Sequence, residues 1–344
     1  MLTPNQFLFA LKDTRHRLMT PAALIGLGLL TLFGAGAAHA EWYGRTEALM
    51  GTRITVRLWQ TDDEAGEAAL RAAIDEIARI EQLMSTYIAD SRMSAINREA
   101  HERAVPAGRE LFRLIRKALE ISELTGGRFD ITYDSVGKHY DFREGKKPDA
   151  VMIERALPVI DYRLVELDMG EETVRFAKPG VRINLGGIAK GYAVERAVAI
   201  LRERGVQYAS VSAGGDSRLL GDRRGQPWLV GIQDPRNREA LAVRLPLADE
   251  AISTSGDYER YFDDGPVRYH HIISPATGDS AREVQSVTIV GPEATMTDAL
   301  STSVFVMGVQ EGLALIERMD GFDAVIIDKH RELHYSSGFL AGEQ

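Results

Sequence analysis

Strand-like and helix-like segments are grouped along this chain of 344 residues instead of alternating one by one. Two β-rich runs, EWYGRTEAL and GTRITVRLW, meet near Met50 and precede two amphipathic helices, while YASVSA, WLVGIQDP and AISTSG follow one another later. A doubly wound parallel sheet requires a helix between successive strands. The grouping therefore predicts an α+β fold with mainly antiparallel sheets and packed helices.

Caps and periodicity give approximate bounds for these elements. Thr61 and Glu64 form a capping-box pattern that predicts the start of the first helix, which carries Leu70 and Ile77 on its apolar face. The other predictions are a helix from about Glu110 to Leu124, a hairpin of RLVELD and TVRFA, a strand-like VRI at 181–183, a helix ending near Gly205, helices from about Thr297 and from about Gln310 to Met319, and a closing hairpin around DKHREL.

The first forty residues differ in kind from the rest. Lys12, Arg15 and Arg17 precede the apolar run AALIGLGLLTLFGAGAA, and AHA at 38–40 has the small-x-small form of a signal-peptidase site. We expect residues 1–40 to be a signal peptide cleaved after Ala40, which makes the rest an exported, periplasmic protein. An uncleaved leader would instead associate the chain with the inner membrane, and Met19 is an alternative start.

Cysteine is absent from the sequence, which excludes a disulfide framework, a lipoprotein attachment site and a thiolate metal site. The formal net charge is −9, and it becomes −11 without the leader, which holds three basic residues and one acidic residue. The overall field of such a chain repels nucleic acid and anionic lipid. We therefore expect no nucleic-acid partner, and an anionic substrate must be attracted by local groups.

Three glycine-bearing turns follow strand-like runs: NLGGIAKG, SAGGD and HIISPATG. Glycine allows a ligand to approach the backbone closely, and a turn that opens a helix presents free amides to phosphate. Such turns also occur with no ligand at all. The sequence contains neither the P-loop pattern nor the dinucleotide fingerprint between a strand and a helix, so a generic kinase or dehydrogenase is excluded.

Asp298 and Thr302 lie four residues apart in TDALST, which places a carboxylate and a hydroxyl on one helix face. Oxygen ligands of this kind suit Mg²⁺. The alternative is that Asp298 complements the helix dipole and that Thr302 bonds to a backbone carbonyl. His271 follows His270 at the end of a strand-like run, where a histidine is either structural or a base.

Seven short motifs occur in a fixed order along the chain. They are MGT at 50–52, STY at 85–87, FDIT at 129–132, NLGGIAKGYA at 184–193, SAGGD at 212–216, HIISPATG at 271–278 and TDALST at 297–302. The ordered set resembles the FAD:protein FMN transferase family, also called ApbE, from about residue 41 to the end. The resemblance implies a single domain over 41–344, built of two fused, intertwined T-fold-like lobes.

The resemblance also implies a site for FAD and Mg²⁺. It implies that His271 is the catalytic base, and that Gly187 through its carbonyl, Asp298 and Thr302 are metal ligands. The implied cofactor-binding residues are Met50, Tyr87, Arg128, Phe129, Asp130, Asn184, Lys190 and Ile272. Two departures stand out, because Asn184 occupies a position where the family usually has aspartate, and the stretch YDSVGKHYDFREGKKPD after Thr132 differs from the common form.

Three functions are compatible with these motifs. The first is a Mg²⁺-dependent transferase that moves FMN from FAD to a threonine of an acceptor protein, such as an exported subunit or domain of a redox complex, and releases AMP. The second is a FAD pyrophosphatase that uses water as the nucleophile. The third is a non-catalytic periplasmic FAD-binding protein, which the joint presence of His271, Asp298 and Thr302 disfavours.

Overall fold

The computed structural model describes residues 41–341, so the predicted signal peptide over 1–40 lies outside the described residues. The strands are β1 Glu41–Leu49, β2 Thr52–Gln60, β3 Val105–Pro106, β4 Val165–Asp168, β5 Thr173–Phe176, β6 Ala209–Ala213, β7 Asp216–Leu220, β8 Trp228–Asp234, β9 Asn237–Leu247, β10 Ala251–Gly256, β11 Tyr261–Asp264, β12 Val267–His270, β13 Val284–Gly291, β14 Asp323–Asp328 and β15 Leu333–Tyr335. The α-helices are α1 Asp63–Met84, α2 Arg92–Glu99, α3 Arg109–Leu124, α4 Asp134–Gly137, α5 Ala150–Ala156, α6 Ala189–Glu203, α7 Ala294–Met307, α8 Val309–Ile316 and α9 Ser337–Ala341.

Eight strands form one sheet in the order β1-β2-β6-β7-β10-β13-β14-β15. The strand pairs described within 41–341 are antiparallel, including those of the three small sheets β11-β12, β3-β5-β4 and β8-β9. The predicted α+β class with mainly antiparallel sheets is confirmed. Within the same residues, no helix combines the length and apolarity that a membrane crossing needs.

The two faces of the eight-stranded sheet have different partners. Alternate residues of β2 and β6 pack against α1 and α6 in one large apolar core, and residues of β13 pack against α7 and α8 in a second one. On the opposite face, Ile252 and Val290 pack with Trp228 of the β8-β9 hairpin. The sheet is therefore covered on both sides, and the packed side chains alternate with the strand period of two.

Several predicted bounds are wrong for local reasons. The N-cap of α1 is Asp62, one residue after Thr61, because the Asp62 carboxylate accepts a hydrogen bond from the Ala65 amide. Helix α7 begins at Ala294, before the predicted Thr297, and its first amide donates to the carboxylate of Glu195 from α6. Helix α8 ends at Ile316, three residues before the predicted Met319.

The VRI segment at 181–183 is not a strand in the structure. The Asn97 side chain takes the place of a neighbouring strand there, since its amide nitrogen donates to the Ile183 carbonyl and its oxygen accepts from the Ile183 amide, both at 2.9 Å. One amide side chain thus forms both hydrogen bonds that the Ile183 backbone would otherwise form with a neighbouring strand. Sequence periodicity carries no signal for this arrangement.

Helices α6 and α7 cross with very little separation at Gly191. A Cβ atom on Gly191 would lie 2.1 Å from the Ala294 carbonyl oxygen and 2.6 Å from the Asp298 Cβ. The bare glycine also lets its own amide donate to the Asp298 carboxylate at 2.8 Å. The crossing therefore depends on a residue without a side chain.

We expect Gly191→Ala to lower the free energy of unfolding by about 1–3 kcal/mol, because the obstructing atom belongs to a backbone that cannot swing aside. The higher helix propensity of alanine, about 1 kcal/mol, acts in the opposite direction and does not compensate for the clash. Urea unfolding followed by circular dichroism measures the difference. A variant more stable than the parent protein would show that the two helices have room to separate at this point.

Candidate active site

Two buried carboxylates share one ammonium group at the start of α6. Lys190 Nζ lies 2.5 Å from Asp216 Oδ2 and 3.4 Å from Asp298 Oδ1, and both aspartates are 2% exposed. Burial by itself would lower the pKa of Lys190, but the two carboxylates raise it above its ordinary value. Burial and the charge of Asp216 raise the pKa of Asp298. With both carboxylates ionised, this cluster has a net negative charge, and the raised pKa of Asp298, about 7, means that a proton or a bound cation is favoured there.

Gly187 lies directly against the Thr302 side chain. A Cβ on Gly187 would be 3.2 Å from Thr302 Oγ1 and 3.1 Å from the ring of Phe129. The structure therefore brings together the NLGG turn, the middle of α7 and the FDIT segment, which are far apart in sequence. The three predicted metal ligands, Gly187, Asp298 and Thr302, all lie within this region.

Hydroxyl groups fix α7 on the sheet below the site. Ser253 Oγ lies 2.8 Å from Thr297 Oγ1, and Ser255 Oγ lies 2.8 Å from Ser301 Oγ and 3.3 Å from Thr302 Oγ1. Each hydroxyl can both donate and accept, so the set satisfies its buried polar atoms internally. These contacts fix the side of α7 that carries Asp298 and Thr302.

Asn184 joins its own motif to STY and to the residues directly after FDIT. Its amide nitrogen donates to Asp134 Oδ1 at 3.1 Å and to Thr86 Oγ1 at 3.3 Å, and its oxygen accepts from the Gly186 amide at 2.8 Å. Asp134 also accepts from Arg182 Nε at 2.6 Å. Burial raises the pKa of Asp134, while Arg182 and Asn184 act in the opposite direction. A carboxylate is thus present beside this turn, although position 184 itself holds an amide.

His271 lies one residue after β12, and its imidazole Nδ1 is buried without a hydrogen-bond partner among residues 41–341. Burial, together with the neighbouring His270 and the charges of Arg260 and Lys190, lowers the pKa of His271 to about 3. His270 is different, because its Nε2 lies 2.7 Å from the Ala281 carbonyl oxygen. The buried His270 is structural, whereas His271 keeps a ring nitrogen available.

A cleft of about 400 Å³ opens between the FDIT and HIISPATG segments. Its lining includes Gly126 to Arg128, Asp130, Tyr162, Ser274 to Ala276 of the HIISPATG turn, and Val306. Val306 lies four residues after Thr302 and therefore on the same face of α7. The cleft thus shares a face of α7 with Thr302 and a turn with His271, whereas the Lys190-Asp216-Asp298 cluster does not line it.

The remaining predicted cofactor-binding residues have varied environments. Met50 has a positive φ of 53° in the β1-β2 turn, and its amide donates to Glu81. Tyr87 is 88% exposed, Phe129 is 4% exposed, and the side chain of Ile272 lies in the core around α7. Arg128 pairs with Glu311 at the surface. No hydrogen bond described for 41–341 joins these five residues to one another.

Asp130 has its carboxylate occupied by internal bonds. It accepts from the amide and hydroxyl of Thr132 at 2.8 and 2.6 Å, and from the Tyr162 amide at 2.8 Å. Burial raises the pKa of Asp130, although these hydrogen bonds act in the opposite direction. Any contact that Asp130 makes with a ligand in the cleft has to share these acceptors.

Sequence reasoning missed four residues of the region: Asp134, Asp216, Ser255 and Arg260. Asp216 ends the SAGGD motif, so a carboxylate directly after two glycines was an available signal. For the other three residues no sequence signal exists, because their partners lie in distant segments.

Comparison with known proteins decides the family. The model of the ApbE family matches residues 50–326. The chain belongs to the ApbE family. A FAD:protein FMN transferase of Treponema pallidum is 32% identical over 342 residues, covering 92% of this chain and 94% of that protein. One from Klebsiella pneumoniae is 31% identical over 299 residues, covering 86% and 92%.

Solved structures of ApbE proteins agree with the observed fold. The crystal structure of the ApbE protein from Thermotoga maritima is 34% identical to this chain with a TM-score of 0.81, covering 88% of this chain and 100% of that one. The flavin transferase ApbE from Vibrio cholerae is 26% identical with a TM-score of 0.79, covering 88% and 99%. The resemblance read from the seven motifs is therefore confirmed.

Asn184→Asp alone, although it would give this ApbE chain the usual family residue, is expected to be destabilising. The new carboxylate would lie about 3 Å from that of Asp134, where like charges repel. The exchange variant Asn184→Asp/Asp134→Asn keeps one carboxylate and one amide in contact. We expect its loss in the free energy of unfolding to be about 1–3 kcal/mol smaller than the sum of the losses in the two single variants.

Urea unfolding of the parent, both single variants and the exchange variant at pH 7 measures this coupling. Simple additivity of the two single effects would show that Asp134 and residue 184 do not act on each other.

Proposed function

We propose that this protein is a Mg²⁺-dependent flavinyltransferase that moves FMN from FAD to a threonine hydroxyl of an acceptor protein and releases AMP. The carrying observation is that the charge of Lys190 acts on both His271 and Asp298, while Thr302, on the same helix as Asp298, lies directly against Gly187. Relatives at about one-third identity that are named FAD:protein FMN transferase support the same reaction.

The residues present fit a magnesium ion. A glycine carbonyl, a buried carboxylate and a hydroxyl are all oxygen donors of the kind Mg²⁺ prefers. The net negative charge of the Lys190-Asp216-Asp298 cluster would also stabilise a bound divalent cation. We assign Asp298, Thr302 and the Gly187 carbonyl as its ligands. When bound, Mg²⁺ would supply charge neutralisation at the diphosphate oxygens.

The side chains of this protein would then carry the proton and orient the phosphate. In the proposed step the threonine oxygen forms a bond to the phosphorus of the FMN half, and the bond from that phosphorus to the bridging oxygen breaks. The electron pair leaves with AMP, and the threonine proton passes to the His271 imidazole. The low pKa of His271 keeps the imidazole unprotonated before FAD binds. The negative charge of the diphosphate would then offset the positive charges of Arg260 and Lys190, which lower this pKa, so the imidazole would become a stronger base.

We further propose that the chain is exported to the periplasm after cleavage at Ala40, as the leader pattern of residues 1–40 predicts. Residues 41–344 would then be one domain of two intertwined lobes. The acceptors would be exported subunits or domains of redox complexes that carry a flavinylatable threonine. The acidic net charge supports a small-molecule donor and a protein acceptor over nucleic acid.

Incubation of the purified protein with FAD, Mg²⁺ and a threonine-containing acceptor domain tests this function. In-gel flavin fluorescence and intact mass of the acceptor give the readout. A flavin-labelled acceptor supports the transferase. Free FMN with unlabelled acceptor would identify a FAD pyrophosphatase, and intact bound FAD would identify a carrier. Chelation of Mg²⁺ should abolish labelling.

We expect His271→Ala to bind FAD about as tightly as the parent protein and to lose at least about 100-fold in transfer rate, because the base is removed and the cleft is kept. Fluorescence quenching of FAD measures binding, and acceptor labelling measures transfer. His270→Gln is the matched control, since a glutamine amide can still donate to the Ala281 carbonyl. Near-normal transfer by His271→Ala would assign the base elsewhere.

The pH dependence of kcat/KM for FAD should reflect the lowered pKa of His271. A base acts when unprotonated, and a pKa of about 3 keeps the imidazole unprotonated down to pH 5. We expect kcat/KM to be nearly flat from pH 8 to pH 5 when Mg²⁺ is concentrated enough to keep Asp298, whose own pKa is raised to about 7, ionised. An imidazole of ordinary pKa, about 6.5, would lose about 30-fold at pH 5. A decline of about 30-fold that persists in His270→Gln would contradict the assignment of His271. A decline that disappears in His270→Gln would originate from His270.

A further inference from the structure

Arg260 connects two parts of the site. It lies in the turn between β10 and β11, and its Nη2 donates to the Gly51 carbonyl oxygen at 3.2 Å. Its own carbonyl oxygen accepts from the His271 amide at 3.1 Å. The arginine is thereby fixed between the Met50-Gly51 turn and the histidine, with its side chain exposed.

The charge of Arg260 is free of carboxylate partners. Lys190 lies between Asp216 and Asp298, Arg182 pairs with Asp134, and Arg128 pairs with Glu311. Among residues 41–341, no ion pair within 4.0 Å includes Arg260. Arg163, which also lines the cleft, pairs with Asp161. Of these five cations, Arg260 is thus the one whose charge is not offset by an ion pair within 41–341.

This free charge acts on the interior of the site. Together with burial and His270, it lowers the pKa of His271, and it opposes the rise in the pKa of Tyr133 that burial and Asp134 cause. The Tyr133 hydroxyl lies beside Gly186 of the NLGG turn, since a Cβ on Gly186 would be 3.4 Å from it. The field of Arg260 therefore extends over both the histidine and the glycine turn.

We propose that Arg260 binds a nonbridging oxygen of the FAD diphosphate from the His271 side, opposite the side that Asp298 and Thr302 serve. This inference rests on the proposed function. A guanidinium has five N–H donors in a planar fork, and the Gly51 carbonyl uses one of them, so several remain for a phosphate. Its permanent charge would also balance the negative charge that moves onto the leaving AMP.

Arg260→Gln and Arg260→Lys test the proposal, with Arg57→Gln as the matched control. Arg57 is also exposed and outside every ion pair described for 41–341, and it lies five residues along β2 from Thr52, about 16 Å away. The probes are FAD and riboflavin, each with Mg²⁺ and without acceptor. Quenching of flavin fluorescence gives the dissociation constants.

We expect Arg260→Gln to raise the Kd for FAD by about tenfold or more, because a charge-assisted hydrogen bond to phosphate is lost. The Kd for riboflavin, which has no phosphate, should stay unchanged. Arg260→Lys should recover part of the FAD affinity, and Arg57→Gln should bind FAD like the parent.

Parental FAD affinity in Arg260→Gln overturns the proposal, and so does an equal loss for FAD and riboflavin, which indicates a purely structural role. If the parent binds FAD but labels no acceptor, the transferase function fails while the FAD and riboflavin constants still decide the role of Arg260. If the parent labels the acceptor and Arg260→Gln keeps its FAD affinity, only the assignment of Arg260 fails. A parent protein that binds no FAD overturns both.

Discussion

The site depends on a charged cluster of Lys190, Asp216 and Asp298 that is largely removed from water. Both carboxylates are almost completely buried, so each needs a nearby cation and hydrogen-bond donors. One ammonium and one backbone amide supply part of this compensation, and a net negative charge is left over. The divalent cation that we propose would complete this compensation, so metal binding would also stabilise the fold around the cluster.

The position of that cluster follows from the close crossing of α6 and α7. Gly191 allows the backbones to approach, and the Gly191 amide then reaches Asp298. The serine and threonine hydroxyls between α7 and β10 prevent α7 from rotating about its axis, since each would lose a buried partner. The face of α7 that carries Asp298 and Thr302 is therefore held in one orientation by the fold, which is the pre-organisation that the proposed transfer would require.

The fold was largely predictable from the sequence, whereas the site was predictable only in part. Most helices and strands follow from periodicity, because one buried face imposes its spacing on the residues. The errors arose where a single distant side chain replaced regular pairing, as Asn97 does for Ile183. The same reason explains the missed Asp134 and Arg260, since neither forms a pattern with its neighbours in sequence, whereas Asp216 was available as the end of the SAGGD motif.

The amino-acid sequence by itself determined the family, the antiparallel α+β class and the motif residues, because short-range spacing and motif order are properties of the chain alone. Only the tertiary structure decided which charges compensate one another. Asn184 looked like the loss of a carboxylate, but Asp134, fifty positions earlier, supplies one within hydrogen-bond distance. Electrostatic energy depends on distance in space and on burial, and neither quantity can be read from separation along the chain.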